Sequence, residues 1–188
     1  MKKPFLNKAL RILLSTNAMI LMAGAMLGPI YAIFVEDVGG DLLDASLAGG
    51  IFALVAGITT LLSGKYSDKI RNSKWVIILG YAIMGLGFLS YVWVDSVIYL
   101  FIVGAIIGLG EAIYSPVFDA LYSKHMDKRK AGALWGAWES MDYFTAAVGA
   151  IIGGAIVTAF GFEVLFISMA SLCFVSALYI YILKEKVL

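Results

Sequence analysis

All 14 lysine and arginine residues of this chain lie at its two ends or in two short segments between long apolar stretches. They occur within residues 1–11, 64–74, 124–130 and 184–186. Each apolar stretch between these segments has room for two helices of about 20 residues, the length that crosses a bilayer. Because lysine and arginine stay on the cytoplasmic side of a membrane, the pattern predicts six spans with both termini in the cytoplasm.

Acidic residues mark the opposite ends of the predicted spans. The three expected outer loops contain six carboxylates and no cation, and aromatic residues flank Asp95 as they do at a membrane surface. We therefore expect an all-α polytopic membrane protein of the plasma (inner) membrane. Its third span begins at Trp75, and the others lie at about 12–35, 45–63, 97–123, 131–160 and 164–183.

The composition excludes an ordinary soluble domain. Hydrophobic residues make up 62% of the chain and charged residues 14%, whereas soluble domains have about 25% charged residues. The net charge of +1, without a basic stripe, gives no reason to expect nucleic acid as a partner. Cys173 is the single cysteine, and no phosphate-binding loop or metal-ligand spacing occurs. We therefore expect no enzyme activity, cofactor or metal, and the lipid bilayer as a partner.

Four acidic residues fall inside predicted spans, namely Glu111, Asp119, Glu139 and Asp142. A carboxylate in hydrocarbon is costly unless it is protonated, paired or in water, so such residues are candidates for function. Counting along the helices places Glu111 and Asp142 at a similar depth, with Glu139 one turn from Asp142. Loss of water and a second nearby acid favour the protonated form. Glu111, Glu139 and Asp142 are therefore candidates to bind and release a proton, or alternatively are protonated packing groups.

Four short motifs resemble those of a known transporter family. The segment Gly64-x-x-x-Asp68-Lys69-x-Arg71-x-x-Lys74 is similar to the loop signature between spans two and three of the major facilitator superfamily, with Arg71 where glycine is usual. Further segments resemble its fourth span, the start of its fifth span and its antiporter signature: Gly108-x-Gly110-x-Ala112-x-x-x-Pro116, Arg129-x-x-Gly132 and Gly149-Ala150-x-x-Gly153-Gly154. By their order and spacing, the chain is identified as a half-size member that resembles the amino-terminal six-helix half.

The resemblance implies half of a major facilitator fold, in which a single domain of residues 1–188 consists of two inverted three-helix repeats at about 1–94 and 95–188. It also implies a cytoplasmic gating latch, in which Asp68 reaches the opposite half and a loop cation pairs with Asp119. The residues assigned to this latch are Gly64, Asp68, Lys69, Arg71, Lys74, Asp119 and Arg129.

The resemblance also indicates which residues face a substrate cavity. The first helix of each repeat should be interrupted, at Gly28-Pro29 and at Ser115-Pro116, and should line the cavity. Spans three and six, nearly free of polar residues, are expected at the periphery, and Trp135 and Trp138 are interpreted as packing residues. The candidates for lining the cavity are Asn17, Tyr31, Tyr114, Ser115 and Tyr143.

Two functions are compatible with the sequence. The first is a secondary active transporter of a small solute, such as a cationic amphiphile or a neutral polar molecule, which works by alternating access, is coupled to protons and acts as a parallel homodimer. The second is a non-transporting membrane scaffold, or one half of a split or truncated transporter that needs a second chain. Acids within the spans favour the first function, because a scaffold does not need them.

Overall fold

A computed structural model describes residues 5–67 and 72–183, most of which are helical. Its α-helices are α1 (Lys8–Leu27), α2 (Tyr31–Asp37), α3 (Leu42–Ser67), α4 (Ser73–Ser90), α5 (Val97–His125), α6 (Ala131–Phe160) and α7 (Phe162–Ile182). Short 3-10 turns lie at Gly28–Ile30, Tyr91–Trp93 and Lys128–Lys130. In this part of the chain, 6 helical segments are long and apolar enough to cross a membrane, the first of them made of α1 and α2 together. The predicted all-α class with six spans is confirmed.

The helices extend further than the sequence predicted, into the cationic segments. α3 continues through Gly64 to Ser67, α4 already contains Lys74, and α5 includes Lys124. A lysine at a helix end can reach water with its long side chain while its backbone stays helical. The helices therefore do not end where the apolar residues end, and the loop expected at 64–74 is shorter than predicted.

The first span is interrupted at the expected position. Its amino-terminal end is fixed by Asn7, whose Oδ1 accepts a hydrogen bond of 2.9 Å from the backbone N–H of Leu10, as an N-cap residue does. The 3-10 turn Gly28–Ile30, with Pro29 in it, separates α1 from α2. Proline has no N–H to donate and its ring clashes with the preceding turn, which explains the break.

Pro116 lies inside α5 without interrupting it, contrary to the expectation for Ser115-Pro116. Because proline has no N–H, the carbonyl of Ala112, four residues earlier, loses its helical donor. The hydroxyl of Ser63 on α3 donates a hydrogen bond of 2.7 Å to this carbonyl oxygen. The neighbouring helix thus supplies the missing donor, and α5 remains one continuous helix.

The spans pack in the order α3, α5, α4, α7, α1 and α6, each mainly against the next. In the most apolar stretches of α4 and α7, 44% of the residues are buried, against 6% in α3 and 11% in α6. The third and sixth spans, expected at the periphery, therefore lie between the others within this chain. The two ends of the row, α3 and α6, are the spans that the chain leaves most exposed.

Glycines allow the end helices to approach their neighbours closely. A Cβ atom at Gly108 of α5 would lie 2.6 Å from the carbonyl oxygen of Phe52 on α3. A Cβ atom at Gly149 of α6 would lie 2.9 Å from the carbonyl oxygen of Met22 on α1, and one at Gly153 would overlap the backbone of Met26. Small residues at four-residue spacing let helix backbones touch, which is the usual basis of helix packing in membranes.

Candidate functional site

A cavity of about 240 Å³ lies between α1, α5 and α6. We call it the acidic cavity, because three of the four acids predicted within spans contribute to its wall. Its lining residues are Asn17, Leu21, Glu111, Tyr114, Ser115, Phe118, Asp119, Trp138 and Asp142.

α5 supplies most of the lining through its helical period. Glu111, Ser115 and Asp119 follow one another at four-residue spacing, and Tyr114 and Phe118 lie beside them, so that all five share one face of the helix. The structure thus brings together the polar residues of the fourth span that the sequence singled out.

The carboxyl groups of the acidic cavity have no partner in the part of the chain that the structure describes. Glu111, Asp119 and Asp142 are each half-buried. Among the described residues, none of the three carboxyl groups has a hydrogen-bond or ion-pair partner. A carboxyl group withdrawn from water without a partner favours its neutral form or binds a cation. Proton binding and cation binding are therefore the two chemical properties that this wall offers.

Two further polar atoms of the wall also lack partners. The Oδ1 atom of Asn17 and the Nε1 atom of Trp138 are buried and form no hydrogen bond, and Asn17 as a whole is only 2% exposed. A buried donor or acceptor without a partner costs about 1–3 kcal/mol, so native structures rarely retain one without a reason. Both residues line the acidic cavity, so a change of side-chain conformation there would let an occupant satisfy this acceptor and this donor.

The predicted substrate-cavity and proton-coupling residues separate into three groups. Asn17, Tyr114 and Ser115 line the acidic cavity together with Glu111 and Asp142. The others, Glu139, Tyr143 and Tyr31, lie elsewhere. Glu139 and Tyr143 are on the exposed side of α6, where Tyr143 is 74% exposed. Tyr31 lines a second cavity of about 310 Å³.

The second cavity is largely apolar and adjoins the first. We call it the apolar cavity; it lies between α1, α3, α4 and α5. It is lined by Gly24, Leu27, Gly28, Tyr31, Ala48, Gly49, Phe52, Met84, Phe88, Tyr91, Gly104, Ile107 and Glu111. Glu111 belongs to the walls of both cavities, so its carboxyl group stands at the boundary between an apolar and a polar compartment.

The described latch residues do not form one cluster. The side chain of Lys74 donates hydrogen bonds to the backbone carbonyls of Tyr181 and Leu183 at the end of α7, where a cation stabilises unpaired carbonyls. Asp119 lines the acidic cavity instead. Arg129 lies in a 3-10 turn, and its backbone N–H donates a hydrogen bond of 3.0 Å to the carboxylate of Asp127.

The remaining latch positions are Gly64, Asp68, Lys69 and Arg71. Gly64 is a residue of α3. Asp68, Lys69 and Arg71 lie outside the described residues. The pairing of Asp119 with a cation of this loop is untested for Lys69 and Arg71, whereas Lys74 bonds to α7.

The family of the chain follows from its similarity to known proteins. The sequence profile of the Major Facilitator Superfamily matches residues 13–187 of the chain. The chain belongs to the major facilitator superfamily. Together with the six apolar helices, this membership establishes a multi-pass membrane protein with half of the superfamily fold.

Relatives within the superfamily are about twice as long. The uncharacterized MFS-type transporter MJ1317 of Methanocaldococcus jannaschii is 29% identical over 192 residues, which cover 96% of the chain and 46% of the relative. The multidrug resistance protein MdtG of Yersinia enterocolitica is 25% identical over 178 residues (93% of the chain, 43% of the relative). MdtG of Escherichia coli is 26% identical over 184 residues (95% and 44%). The chain therefore spans about half the length of the curated relatives it matches.

Sequence reasoning misses two residues of this superfamily member. Sequence reasoning treats Trp138 as a packing residue. Trp138 precedes Asp142 by four residues, and the two therefore share one face of the helix. That spacing could have indicated that Trp138 belongs to the wall of the acidic cavity. Sequence reasoning does not single out Ser63, and no sequence signal connects Ser63 with Ala112, because the contact joins two helices and depends on Pro116.

Proposed function

We propose that this chain transports a small solute by alternating access as a secondary active transporter of the plasma (inner) membrane. The observation that carries the proposal is the acidic cavity, which combines carboxyl groups that have no partner among the described residues with the unpartnered Oδ1 of Asn17 and Nε1 of Trp138. A scaffold has no need for such groups, and their burial without partners costs stability. Membership of the superfamily and relatives named as MFS-type transporters support the same function.

The walls of the acidic cavity favour a cationic amphiphile over the other solutes considered. No lysine or arginine is among its lining residues, whereas three carboxyl groups are. Phe118, Tyr114 and Trp138 add aromatic rings, which attract cations and apolar surfaces. The adjoining apolar cavity extends the space for a hydrophobic part of the solute. Relatives named multidrug resistance proteins support this class of substrate.

Coupling to protons is proposed to run through Glu111 and Asp142. Both line the acidic cavity, and excluding water from a carboxyl group makes its charged form costly. Alternating access brings water to the cavity from one side at a time, and this hydration lets the carboxyl groups release a proton. Glu139, the third candidate, lies on the exposed side of α6, so its contribution depends on what covers that helix.

A second six-helix half is needed to cover α3 and α6, and we propose that it is a second copy in parallel orientation. The exposed sides of these helices include Glu139 and Tyr143, and a carboxyl group is costly against lipid. In the dimer, Asp68 of one copy would latch onto its partner. Scaffold function, or pairing with a different second chain, remains the alternative that experiment must exclude.

The packing order supports the division into two inverted repeats, at about 1–94 and 95–188 of a single domain. The exchange of spans one to three with spans four to six replaces α1 by α5, α3 by α6 and α4 by α7, and the reverse. The contact of α3 with α5 then becomes that of α6 with α1. In the same way, the contact of α4 with α5 becomes that of α7 with α1, and the contact of α4 with α7 is unchanged. Such equivalence is expected of two copies of one three-helix unit.

Transport by the purified chain in proteoliposomes tests this function. We expect an imposed pH gradient to drive accumulation of ethidium, an aromatic cation. Glu111→Gln and Asp142→Asn should abolish gradient-driven accumulation but retain ethidium exchange, because binding and gating survive without the proton. The matched control Glu163→Gln removes an exposed carboxylate outside the cavities and should accumulate ethidium normally.

Each result of this experiment is decisive. If the wild-type chain accumulates no ethidium and exchanges none, it does not transport ethidium as a single-chain species. If Glu111→Gln and Asp142→Asn both accumulate ethidium like the wild type, protons are not coupled through this cavity.

The orientation of the chain follows from its charges and remains a proposal. Both termini are assigned to the cytoplasm because the cations lie on that side. In a background without Cys173, single cysteines at Asp41 and Asp95 should react with an impermeant thiol reagent from outside the cell. A cysteine at Lys128 should react only after the membrane is opened, and its labelling from outside would reverse the orientation.

A further inference from the structure

A groove of about 580 Å³ lies at the end of the bundle that carries the cationic loops, away from both cavities. We call it the basic groove. Its lining residues are Phe5, Asn7, Leu10, His125, Met126, Asp127, Arg129, Lys130 and Leu134. Arg129 is also one of the predicted latch residues, and none of the lining residues contributes to the acidic cavity.

The walls of the basic groove are held by specific hydrogen bonds. Asn7 caps α1 with its Oδ1, and its Nδ2 donates a hydrogen bond of 2.8 Å to the backbone carbonyl of His125 at the end of α5. The hydroxyl of Tyr122 donates to the carbonyl of Leu134 on α6 at 2.7 Å. The beginnings of α1 and α6 and the end of α5 are therefore fixed relative to one another, so the groove is a built feature of the fold.

The charge of the groove is net positive, because its lining has Arg129 and Lys130 against the single carboxylate of Asp127. Arg129 and Lys130 line it, and over residues 5–67 and 72–183 no lysine or arginine forms an ion pair within 4.0 Å. The one acid of the lining, Asp127, already accepts a hydrogen bond from the backbone N–H of Arg129. α6 begins beside these cations at Ala131 without a side-chain cap or an acid in its first turn, which adds the positive end of its dipole.

The bottom of the groove is apolar. Leu10 and Leu134 are each 1% exposed, and Phe5 at the rim is 50% exposed. An occupant that contacts both the cationic residues and the apolar residues of the groove must combine an anionic group with a hydrocarbon chain. Under the predicted topology, this end of the bundle lies where the headgroups of the cytoplasmic leaflet meet the acyl chains. Basic pockets at such positions are suited to anionic headgroups.

We propose that the basic groove binds an anionic phospholipid, with its phosphate between Arg129, Lys130 and the beginning of α6 and its acyl chain against Phe5 and Met126. The bound lipid places one negative charge beside two cations that have no ion-pair partner among the described residues. It also bridges α1, α5 and α6, which all contribute to the groove. Since α1, α5 and α6 also form the acidic cavity, occupancy of the groove stabilises the arrangement of that cavity.

Thermal unfolding of the purified full chain tests the lipid site. In micelles, phosphatidylglycerol should raise the melting temperature, whereas phosphatidylcholine and inorganic phosphate should not. A cation at a membrane surface contributes roughly a fivefold gain in affinity, so Arg129→Gln with Lys130→Gln should weaken binding roughly twentyfold.

The control pair Lys65→Gln and Lys124→Gln removes the same charge from exposed residues outside the groove and should retain the binding. Arg129→Lys retains the charge and should also bind.

The outcomes separate the proposal from its alternatives. An equal loss in both double variants would show a general charge effect and overturn the site, as would no loss in either. A melting shift with inorganic phosphate as large as that with phosphatidylglycerol would replace the lipid with a soluble anion. If the Arg129→Gln and Lys130→Gln variant does not fold, failure of the folded Arg129→Lys variant to bind phosphatidylglycerol would also overturn the site.

Discussion

At the scale of single residues, the acidic cavity depends on groups that are costly to keep. Asn17 and Trp138 each bury a polar atom without a partner, although a carbon atom in the same place would cost nothing. Residues that follow the local rules of packing do not need a function, whereas a residue that breaks them is expected at a functional site. Trp138 can be tested directly, because phenylalanine retains an aromatic ring and removes the N–H.

We predict that Trp138→Phe lowers the affinity for ethidium without destabilising the empty protein. The variant loses a hydrogen bond worth about 0.5–1.5 kcal/mol to the occupant, an affinity loss of roughly two- to tenfold. Its melting temperature without ligand should be unchanged or higher, because the unpaired donor is gone. Trp135→Phe is the control, since Trp135 packs between Tyr122 and Trp138 and does not line the cavity. Equal affinity losses in both variants would assign Trp138 to packing.

At the scale of helices, continuity and close approach depend on contacts between neighbouring elements. α5 crosses the bilayer as one helix although it contains Pro116, because α3 provides Ser63 as a donor. In the part of the chain that the structure describes, no side chain donates a hydrogen bond to the carbonyl of Ala25, four residues before Pro29, and there the helix is interrupted by a 3-10 turn. The same residue type thus breaks one span and not the other, and the neighbour of each helix accounts for the difference.

We predict that Ser63→Ala destabilises the protein by about 1 kcal/mol, since the carbonyl of Ala112 is left without a donor. In a Pro116→Ala background the same substitution should have a smaller effect, because the N–H of the introduced alanine restores the helical hydrogen bond. A double-mutant cycle of unfolding free energies in detergent measures the coupling. Additive effects in the cycle would show that Ser63 does not compensate for Pro116.

Close approach of α1 and α6 gives a second prediction at this scale. Gly153→Ala should destabilise the protein by about 1–3 kcal/mol, because the new methyl group overlaps the backbone of Met26. Gly154→Ala is the matched control, since nothing lies within 4 Å of its Cβ position. Chemical unfolding of both variants in the same detergent provides the measurement. If the two variants were equally stable, α1 and α6 would not pack through Gly153.

At the scale of the whole molecule, the sequence predicted the features that depend on a single helix. It missed the features that depend on contacts between two helices. The spans and the shared face of Glu111, Ser115 and Asp119 follow from hydropathy and helical period, and the structure contains both. Glu139 and Asp142 are three residues apart on α6, yet only Asp142 lines the cavity. The rotation of α6 about its own axis determines which of these two residues lines the cavity. That rotation depends on the contacts of Gly149 and Gly153 with α1, which the periodicity of the sequence does not reveal.

The order of the helices also determines how a second copy would bind in the proposed dimer. α3 and α6 are the two ends of the row and the most exposed spans. In a two-fold dimer each surface meets the partner through a symmetric arrangement. A parallel pair that covers both ends therefore places α3 of one copy against α6 of the other. The dimer interface consequently has two equivalent contacts, and each can be tested with one cysteine per copy.

We predict that Leu54→Cys in one copy forms a disulfide with Val148→Cys in a second, differently tagged copy, in a background without Cys173. Leu54 on α3 is 64% exposed and Val148 on α6 is 47% exposed. Each lies 12 residues from the outer end of its helix, hence at about the same depth at ~1.5 Å per residue. As the control, Val175→Cys replaces Val148→Cys, because Val175 is 52% exposed and lies 13 residues from the outer end of its helix, but belongs to α7, inside the row. A disulfide with Val148→Cys but not with Val175→Cys, detected in membranes by co-migration of the two tags, supports the dimer. Equal cross-linking of both pairs would indicate random collision in the bilayer, and no cross-linking of either would indicate that a different chain covers α3 and α6.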